Sequence, residues 1–340
     1  MVSPLRIKRR AAPGGGYNRR NANRGERVVA YVGRRLIGFG ITLLLVSIAV
    51  FVVLSVIPGD PAQIVLGMEA QPAAVQAMRH RLGLDQPPVT RYLHWLTGAL
   101  RGDLGTSLSY DLPVSQEIAS GLTVTVPLTG SAILLALLLA IPLGAFTAAH
   151  HRRWGDYTGR LLIQVGMILP EFLLGLLLIL LFAVALHWLP AGGFPGWRTG
   201  GKAAAALLLP AVALALPRAA VLARMARASF LEVLDEGYIT TARGKGLPNW
   251  KVLYKHAMRN ALVSLVTVSG LLMAQLIAGS IIIENVFALR GVGRLAFQAI
   301  EARDLPLVQG TVVVVALLIA AVNLAVDLLY GLLDPRVRYE

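Results

Sequence analysis

Three constellations in this chain have residue types and spacings that would support chemistry. Glu171 and Asp327 are acids set inside apolar runs, where a carboxylate serves a proton relay or an aspartyl hydrolase. Gly196, Gly201 and Lys202 match the GxxxxGK spacing of a phosphate-cradling loop, which would make the chain its own ATPase. Six His are available as metal ligands. None of the three survives inspection. Neither acid has a paired catalytic motif. Lys202 is followed by Ala203 rather than Ser or Thr, and no strand pattern precedes the glycines. No two His share a helix face at i, i+4, and the adjacent His150 and His151 point apart, so no metal site is indicated. No catalytic residue is expected, and the absence of cysteine removes disulfides and thiolate sites as well.

The elements that must position these residues are helices in lipid. The 340 residues are 56% hydrophobic and 15% charged, with a mean hydropathy of +0.66, well to the apolar side of a soluble domain. Crossing about 30 Å of hydrocarbon takes about 20 helical residues. Uncharged runs of that length occur at Leu36–Ile57, Gly121–Ala149, Asn260–Ile283 and Leu305–Val326. Leu161–Leu186 is a fifth, interrupted by Glu171, and Ala203–Leu222 a sixth, with Arg218 near one end. The runs are continuous rather than alternating, which excludes a strand barrel. The expectation is an all-α membrane protein with six transmembrane helices.

Charge sets the expected orientation. With the N-terminus inside, 23 of the 32 Lys and Arg fall on the inner side and 9 on the outer, the bias of the positive-inside rule, so both termini are expected in the cytoplasm. The net charge of +14 is then topology and contact with membrane lipids, with no nucleic-acid partner. Residues 1–33, glycine-rich at 14–16 and basic, read as a disordered cytoplasmic tail, and 34–57 as an uncleaved first transmembrane helix. Residues 58–120 read as an extracytoplasmic cap, with Val89, Tyr92, Leu93, Leu96 and Leu100 at helical spacing closed by Gly102. A five-helix core spans 121–333, including a cytoplasmic loop at 226–260, and 334–340 is a cytoplasmic C-terminus.

In that loop span four continues as helix through Glu232, and a short helix follows from about Tyr238. Gly246 and Pro248 then break the chain before an amphipathic piece with Trp250, Leu253, Tyr254 and Ala257 on one side. The loop is either a surface lying on lipid or a rigid handle for a soluble partner.

The polar residues inside the spans carry further expectations. Glu171 stands about 16 Å deep if span three is one straight helix. A carboxylate there costs about 2.5–3.5 kcal/mol unless it faces protein or water, so it is expected to face the pathway or a partner. Arg218 is expected to snorkel from the inner end of span four; the sharper alternative is that it pairs with Glu171, or that the two read a peptide's termini. Asn323 and Asp327, on one helical face near the inner end of span six, suit capping and interhelical hydrogen bonds. Gly270, Ala274 and Ala278 form a small-residue stripe suited to a neighbouring helix. No inverted repeat with broken helices is visible, which argues against an ion-coupled secondary transporter.

Thr240, Thr241, Ala242 and Gly246 fill the positions of the Glu-Ala-Ala-xxx-Gly signature in the inner-membrane permeases of ATP-binding-cassette importers. Leu231 to Leu234 and Tyr238 to Leu247 are similar to the dipeptide and oligopeptide branch of that family, which glutathione and nickel permeases share. So are Pro58-Gly59-Asp60-Pro61, Leu82-Gly83-Leu84-Asp85, Gly102-Asp103-Leu104-Gly105, Glu284-Asn285-Val286-Phe287 with Gly291-Val292-Gly293, and Asn323, Asp327, Tyr330 and Asp334-Pro335-Arg336. Arg290 and Ser264 stand where the family often has Pro. The resemblance covers roughly residues 34–339 and implies a type I importer permease core in a bacterial inner membrane. It implies that Tyr238, Thr240, Thr241, Ala242, Gly246 and Leu247 dock on a cytoplasmic ATPase subunit. It further implies a second related permease, two nucleotide-binding subunits that use ATP and Mg while this chain holds no cofactor, and an external solute-binding protein. Glu171, Arg218, Asn323 and Asp327 are then candidates for the translocation path.

Overall fold

Hydrophobic length decides the architecture. The structure, a computed structural model, describes residues 16–56, 60–67, 70–81 and 83–333. Residues 1–15, Pro58, Gly59, Leu82 and the stretch 334–340, with its Asp334-Pro335-Arg336, lie outside the described residues. Among the described residues, five helices are long and apolar enough to cross a membrane, and a bent pair meets the same criterion when its two halves are taken together as one span.

The first crossing is α1 (Gly16–Val56). Three short helices follow, α2 (Pro61–Leu66), α3 (Pro72–Arg81) and α4 (Pro88–Ala99), each with proline in its first turn, where the missing N–H has no intrahelical partner to lose. An antiparallel bridge between Thr106 and Pro113 closes this cap segment. The second crossing is α5 (Val114–Ala149), and α6 (Trp154–Ile168) and α7 (Glu171–Leu178) form the bent third, α7 running into a π-helical turn at Ile179–Ala185. The fourth, α8 (Gly201–Leu234), is followed by α9 (Gly237–Gly244), the single turn α10 (Asn249–Lys251) and a π-helical turn at Val252–Ala257. The fifth is α11 (Met258–Val286), and α12 (Val292–Glu301) links it to the sixth, α13 (Leu305–Leu333).

Helix α8 is the axis of the bundle. In its most apolar stretch 67% of residues are buried, against 6% for α1 and α13, which lie at the periphery. It packs on α5 through a stripe of small residues at spacing four, Ala132, Ala136, Ala140 and Gly144, all buried. Spacing of that kind lets two backbones approach closely where no hydrophobic force drives helices together. A Cβ on Gly144 would overlap that of Ala226 and stand 3.0 Å from the Ala223 carbonyl oxygen. Trp197, just before α8, donates its indole N–H to the Thr123 carbonyl at 2.9 Å near the start of α5, so the two helices run parallel. The cap segment and α12 therefore sit at one end of the bundle. The α8–α9 connection sits at the other, where α1 begins and α13 ends.

Four expectations need correction. The tail does not stop at residue 33, because α1 is helical from Gly16; once a span nucleates a helix, each further residue adds a hydrogen bond at little cost. The cap ends at Pro113 rather than 120, since α5 starts seven residues earlier than its uncharged run. Span three is not straight: its halves meet at an angle of 100° across Leu169 and Pro170, so depth cannot be read from a uniform rise per residue. Finally, the π-helical turn at Val252–Ala257 shifts the expected face. Val252, Leu253 and Ala257 are buried, whereas Trp250 and Tyr254 point outward.

Candidate functional site

The bend in the third crossing creates the central polar contact. Pro170 ends α6 and leaves Glu171 as the first residue of α7, where unpaired N–H groups favour a carboxylate. Pro217 lies within α8 immediately before Arg218 and removes one intrahelical bond at that level. Arg218 is in the middle of α8, since the helix continues twelve residues past Leu222, where the apolar run ends. Its stem does not snorkel out. Its Nη1 stands 2.9 Å from Glu171 Oε2, with the two side chains 18% and 13% exposed.

This pair is ionic in distance but incomplete as hydrogen bonding. Glu171 Oε2 and Arg218 Nε are closed off and make no well-aligned hydrogen bond among the described residues. At 2.9 Å the two charges neutralise each other even though these two atoms lack an aligned hydrogen bond. The third wall is Gly279 of α11: a Cβ there would stand 2.6 Å from Glu171 Oε1 and 3.1 Å from Arg218 Nη2. Three helices thus meet at one ion pair, and only glycine leaves room for it. A buried pair of this kind adds little net stability, so what it contributes is choice of arrangement rather than strength.

Asn323 and Asp327 are not brought to this pair. Asp327 lies 2.8 Å from Arg35 Nη1, joining α13 to α1, and Asn323 is exposed. Gly270, from the small-residue stripe, packs on Val326 of α13 within the same chain. At about 100° and 1.5 Å per residue, Gly270 and Gly279 face opposite sides of α11 and lie about 13 Å apart along it. Of the four polar candidates, Glu171 and Arg218 share one contact, Asp327 belongs to another with Arg35, and Asn323 is exposed on the same helix as Asp327.

At the opposite end from the cap, α9 lies against the base of the bundle. Ile239 and Ala242 are buried beneath it, while Tyr238, Thr240, Thr241 and Gly246 are exposed and Leu247 is half-buried. The Tyr238 hydroxyl accepts from Asn260 Nδ2 at 2.7 Å, fixing α9 to the start of α11. Gly246 closes the helix with φ +77°, its N–H donating to the Arg243 carbonyl at 2.9 Å. Ala242 thus anchors the element instead of presenting a surface. Nearby, Asp156 at the start of α6 is buried and takes both Arg227 Nε and Nη2 at 2.8 Å, tying α6 to α8.

Two buried acids lie just outside apolar runs: Glu284 entered the sequence reading only as part of a family motif, with no role, and Asp304 did not enter it. Glu284 is fully buried near the end of α11. Its Oε1 accepts from Thr125 Oγ1 at 2.7 Å and its Oε2 from the Arg294 N–H at 2.9 Å, while Thr125 Oγ1 accepts from the Val292 N–H at 2.9 Å. The carboxylate therefore caps α12 from a neighbouring helix. A Cβ on Gly291 would collide with that carboxyl group, and one on Gly293 would stand 2.6 Å from Ile281 Cα. The pattern Glu284 followed by Gly291 and Gly293 was the available signal. Asp304 does the same for α13: it accepts from the Leu307 N–H at 3.2 Å and, from the cap, from Ser107 Oγ at 2.6 Å and the Ser109 N–H at 3.0 Å.

Replacing Glu284 with Ala is expected to strand several buried donors and destabilise the protein by about 2–3 kcal/mol. Glu284→Gln, which keeps one acceptor oxygen, should lose less. Thermal unfolding of the purified chain in mild detergent tests this ordering, and equal midpoints for the two variants would contradict the capping role.

The chain matches two family models. Residues 140–339 match the binding-protein-dependent transport system inner membrane component, and residues 28–129 match the N-terminal part of the membrane component of such systems. A Brucella abortus protein named for a peptide transport system permease is 44% identical over 305 residues, covering 88% of this chain and 95% of that protein. A glutathione transport system permease protein of Salmonella choleraesuis is 40% identical over 310 residues, covering 91% and 99% respectively. Among solved structures, an inward-facing conformation of the MetNI methionine ABC transporter matches with a TM-score of 0.54 at 18% identity, covering 64% of this chain and 97% of that one. The chain belongs to the inner-membrane permease components of binding-protein-dependent importers, a family in which ATP is hydrolysed by separate subunits.

Proposed function

We propose that this chain forms half of a translocation pathway for di- or oligopeptides and is driven through the 238–247 loop by a separate ATPase. The observation that carries this reading is α9, a short element braced from beneath by Ile239 and Ala242 that leaves Tyr238, Thr240 and Thr241 facing outward. A rigid foot of this kind converts movement of a clasping partner into rigid-body rotation of the helices above it. The names of the peptide and glutathione relatives support a solute with a peptide backbone; glutathione or nickel is the alternative within the same branch.

The partners are a second related permease, two cytoplasmic nucleotide-binding subunits that use ATP and Mg, and an external solute-binding protein. The exposed side of α11 supports the second permease. It carries Leu271, Gln275, Ala278 and Ile282 at helical spacing, and an amide facing lipid in mid-span is costly unless protein covers it. The Lys and Arg bias supports an inner-membrane location with both termini and α9 on the cytoplasmic side.

Purification of the tagged chain from its native membrane in mild detergent is expected to bring down an ATPase subunit and a second permease. Reconstituted with binding protein, that complex should accumulate a labelled dipeptide only with ATP, and unlabelled glutathione or nickel should compete if either is the solute. The buried Glu171–Arg218 pair would suit an ion-coupled secondary transporter, and uptake by the isolated chain under an ion gradient without ATPase would establish that reading instead.

A further inference from the structure

The turn between α5 and α6 lies at the boundary of the apolar region. The uncharged run of α5 ends at Ala149 and that of α6 begins at Leu161, and between them stand His150, His151, Arg152, Arg153 and Arg160 with a single acid, Asp156. Asp156 is buried and committed to α8: Arg227 donates to both its oxygens at 2.8 Å, while Arg160 Nε stands farther off at 3.5 Å. Arg152 and Arg153 are exposed, and their side chains make no ion pair among the described residues. The turn therefore presents positive charge that the fold leaves uncompensated.

This surface has a fixed shape and an apolar extension. A Cβ on Gly159 would overlap the Thr147 methyl group, and one on Gly155 would stand 3.2 Å from the Phe146 ring, so α6 packs directly on the end of α5. Trp154 is 85% exposed, its ring edge-on to Tyr157 at 6.4 Å, and the Arg160 guanidinium lies 4.8 Å from the centre of the Tyr157 ring. Deeper along the helix Leu161, Val165 and Ile168 continue the face of Tyr157 at spacings of four and three, and all are exposed. Arg152 holds φ +61°, with its N–H donating to Asp156 Oδ2 at 3.1 Å, a left-handed conformation that glycine would adopt without strain. An arginine kept at such a position points to a use for its side chain.

We propose that the α5–α6 turn binds the headgroup of an anionic phospholipid, its phosphodiester drawn to Arg152, Arg153 and Arg160 and an acyl chain lying along Leu161, Val165 and Ile168. Trp and Tyr favour the depth at which headgroups lie, since their rings are apolar and their polar edges seek water. The apolar stripe separates a lipid from free phosphate, which has nothing to place there. An anionic lipid surface attracts each basic residue beside it, and a zwitterionic lipid of the same chains does not. A lipid held here anchors the start of α6 and, through the Asp156–Arg227 contact, the part of α8 that leads to α9. The proposal depends neither on the solute nor on how the importer assembles.

Photolabelling of the full chain in mild detergent, with a phosphatidylglycerol whose acyl chain carries a diazirine and with the labelled peptides mapped by mass spectrometry, tests this. Label is expected within residues 161–168. Unlabelled phosphatidylglycerol should displace it at concentrations at least about ten-fold lower than phosphatidylethanolamine of the same chains needs. Glycerophosphoglycerol, the headgroup without chains, should not displace it. Arg152→Gly, Arg153→Gln and Arg160→Gln should each weaken the lipid's affinity about five-fold, and Arg160→Lys, which keeps the charge, should retain most of it. Arg152→Gly also separates charge from folding, because it relieves the left-handed backbone and should unfold at no lower temperature than wild type. Equal displacement by the two lipids, displacement by glycerophosphoglycerol, or labelling unchanged in the triple variant Arg152→Gly, Arg153→Gln, Arg160→Gln would overturn the proposal.

Discussion

Arg218→Met is expected to destabilise the chain by about 3–5 kcal/mol, the usual cost of leaving one member of a buried ion pair without its partner. The remaining group would be Glu171, 13% exposed and wedged under Gly279. The double replacement Glu171→Gln, Arg218→Met should recover most of that loss, since two neutral side chains of similar volume fill the same space without an uncompensated charge. Gly279→Ala should act on the intact pair from its third side, because the added methyl would meet Glu171 Oε1. The measurement is a double-mutant cycle on thermal unfolding in detergent. Additive single effects would mean that the 2.9 Å contact is not energetically coupled.

The same variants separate stability from transport. If the pair parts during the transport cycle, the neutral double variant folds normally but no longer distinguishes the two arrangements of the bent third crossing. Basal ATP hydrolysis in the assembled complex should then rise relative to the stimulated rate. A peptide whose termini are read by Glu171 and Arg218 predicts a different outcome, a higher KM for transport with the stimulated rate unchanged.

Gly246→Pro is expected to abolish stimulation of ATP hydrolysis by the binding protein while leaving insertion and assembly intact. Gly246 has φ +77°, which a proline ring cannot adopt, and its N–H bonds the Arg243 carbonyl, a donor that proline lacks. Gly246→Ala tests the conformational part alone, since an L-residue in the left-handed region costs about 1–2 kcal/mol and no neighbour lies within 4 Å of the added carbon. The alanine variant should therefore transport at a reduced rate and the proline variant at less than about a tenth of wild type, an added loss of more than about 1.4 kcal/mol in coupling. Normal stimulation in the proline variant would reduce α9 to a surface lying on lipid.

Much of this architecture is legible from local features. Hydropathy over about 20 residues identifies a crossing, because the cost of placing a charged side chain in lipid depends on that segment alone. The helix of the cap at Pro88–Ala99 and the short helix at Gly237–Gly244 follow from spacing and from their closing glycines for the same reason. The continuation of α8 past Leu222 was also visible in its residues.

What the tertiary structure alone decided is which polar groups meet. Glu284 became a buried cap because Thr125, 159 positions away, lies on the helix beside it. Asp304 holds the cap through Ser107 at a separation of 197 positions. Glu171 and Arg218 meet because Pro170 bends one crossing by 100° and Gly279 lets another come close. The number and kind of helices were set by the sequence through the local balance between lipid and backbone. The pairing of charges waited on how those helices cross, since Coulomb and hydrogen-bond energies depend on distances that no single segment specifies.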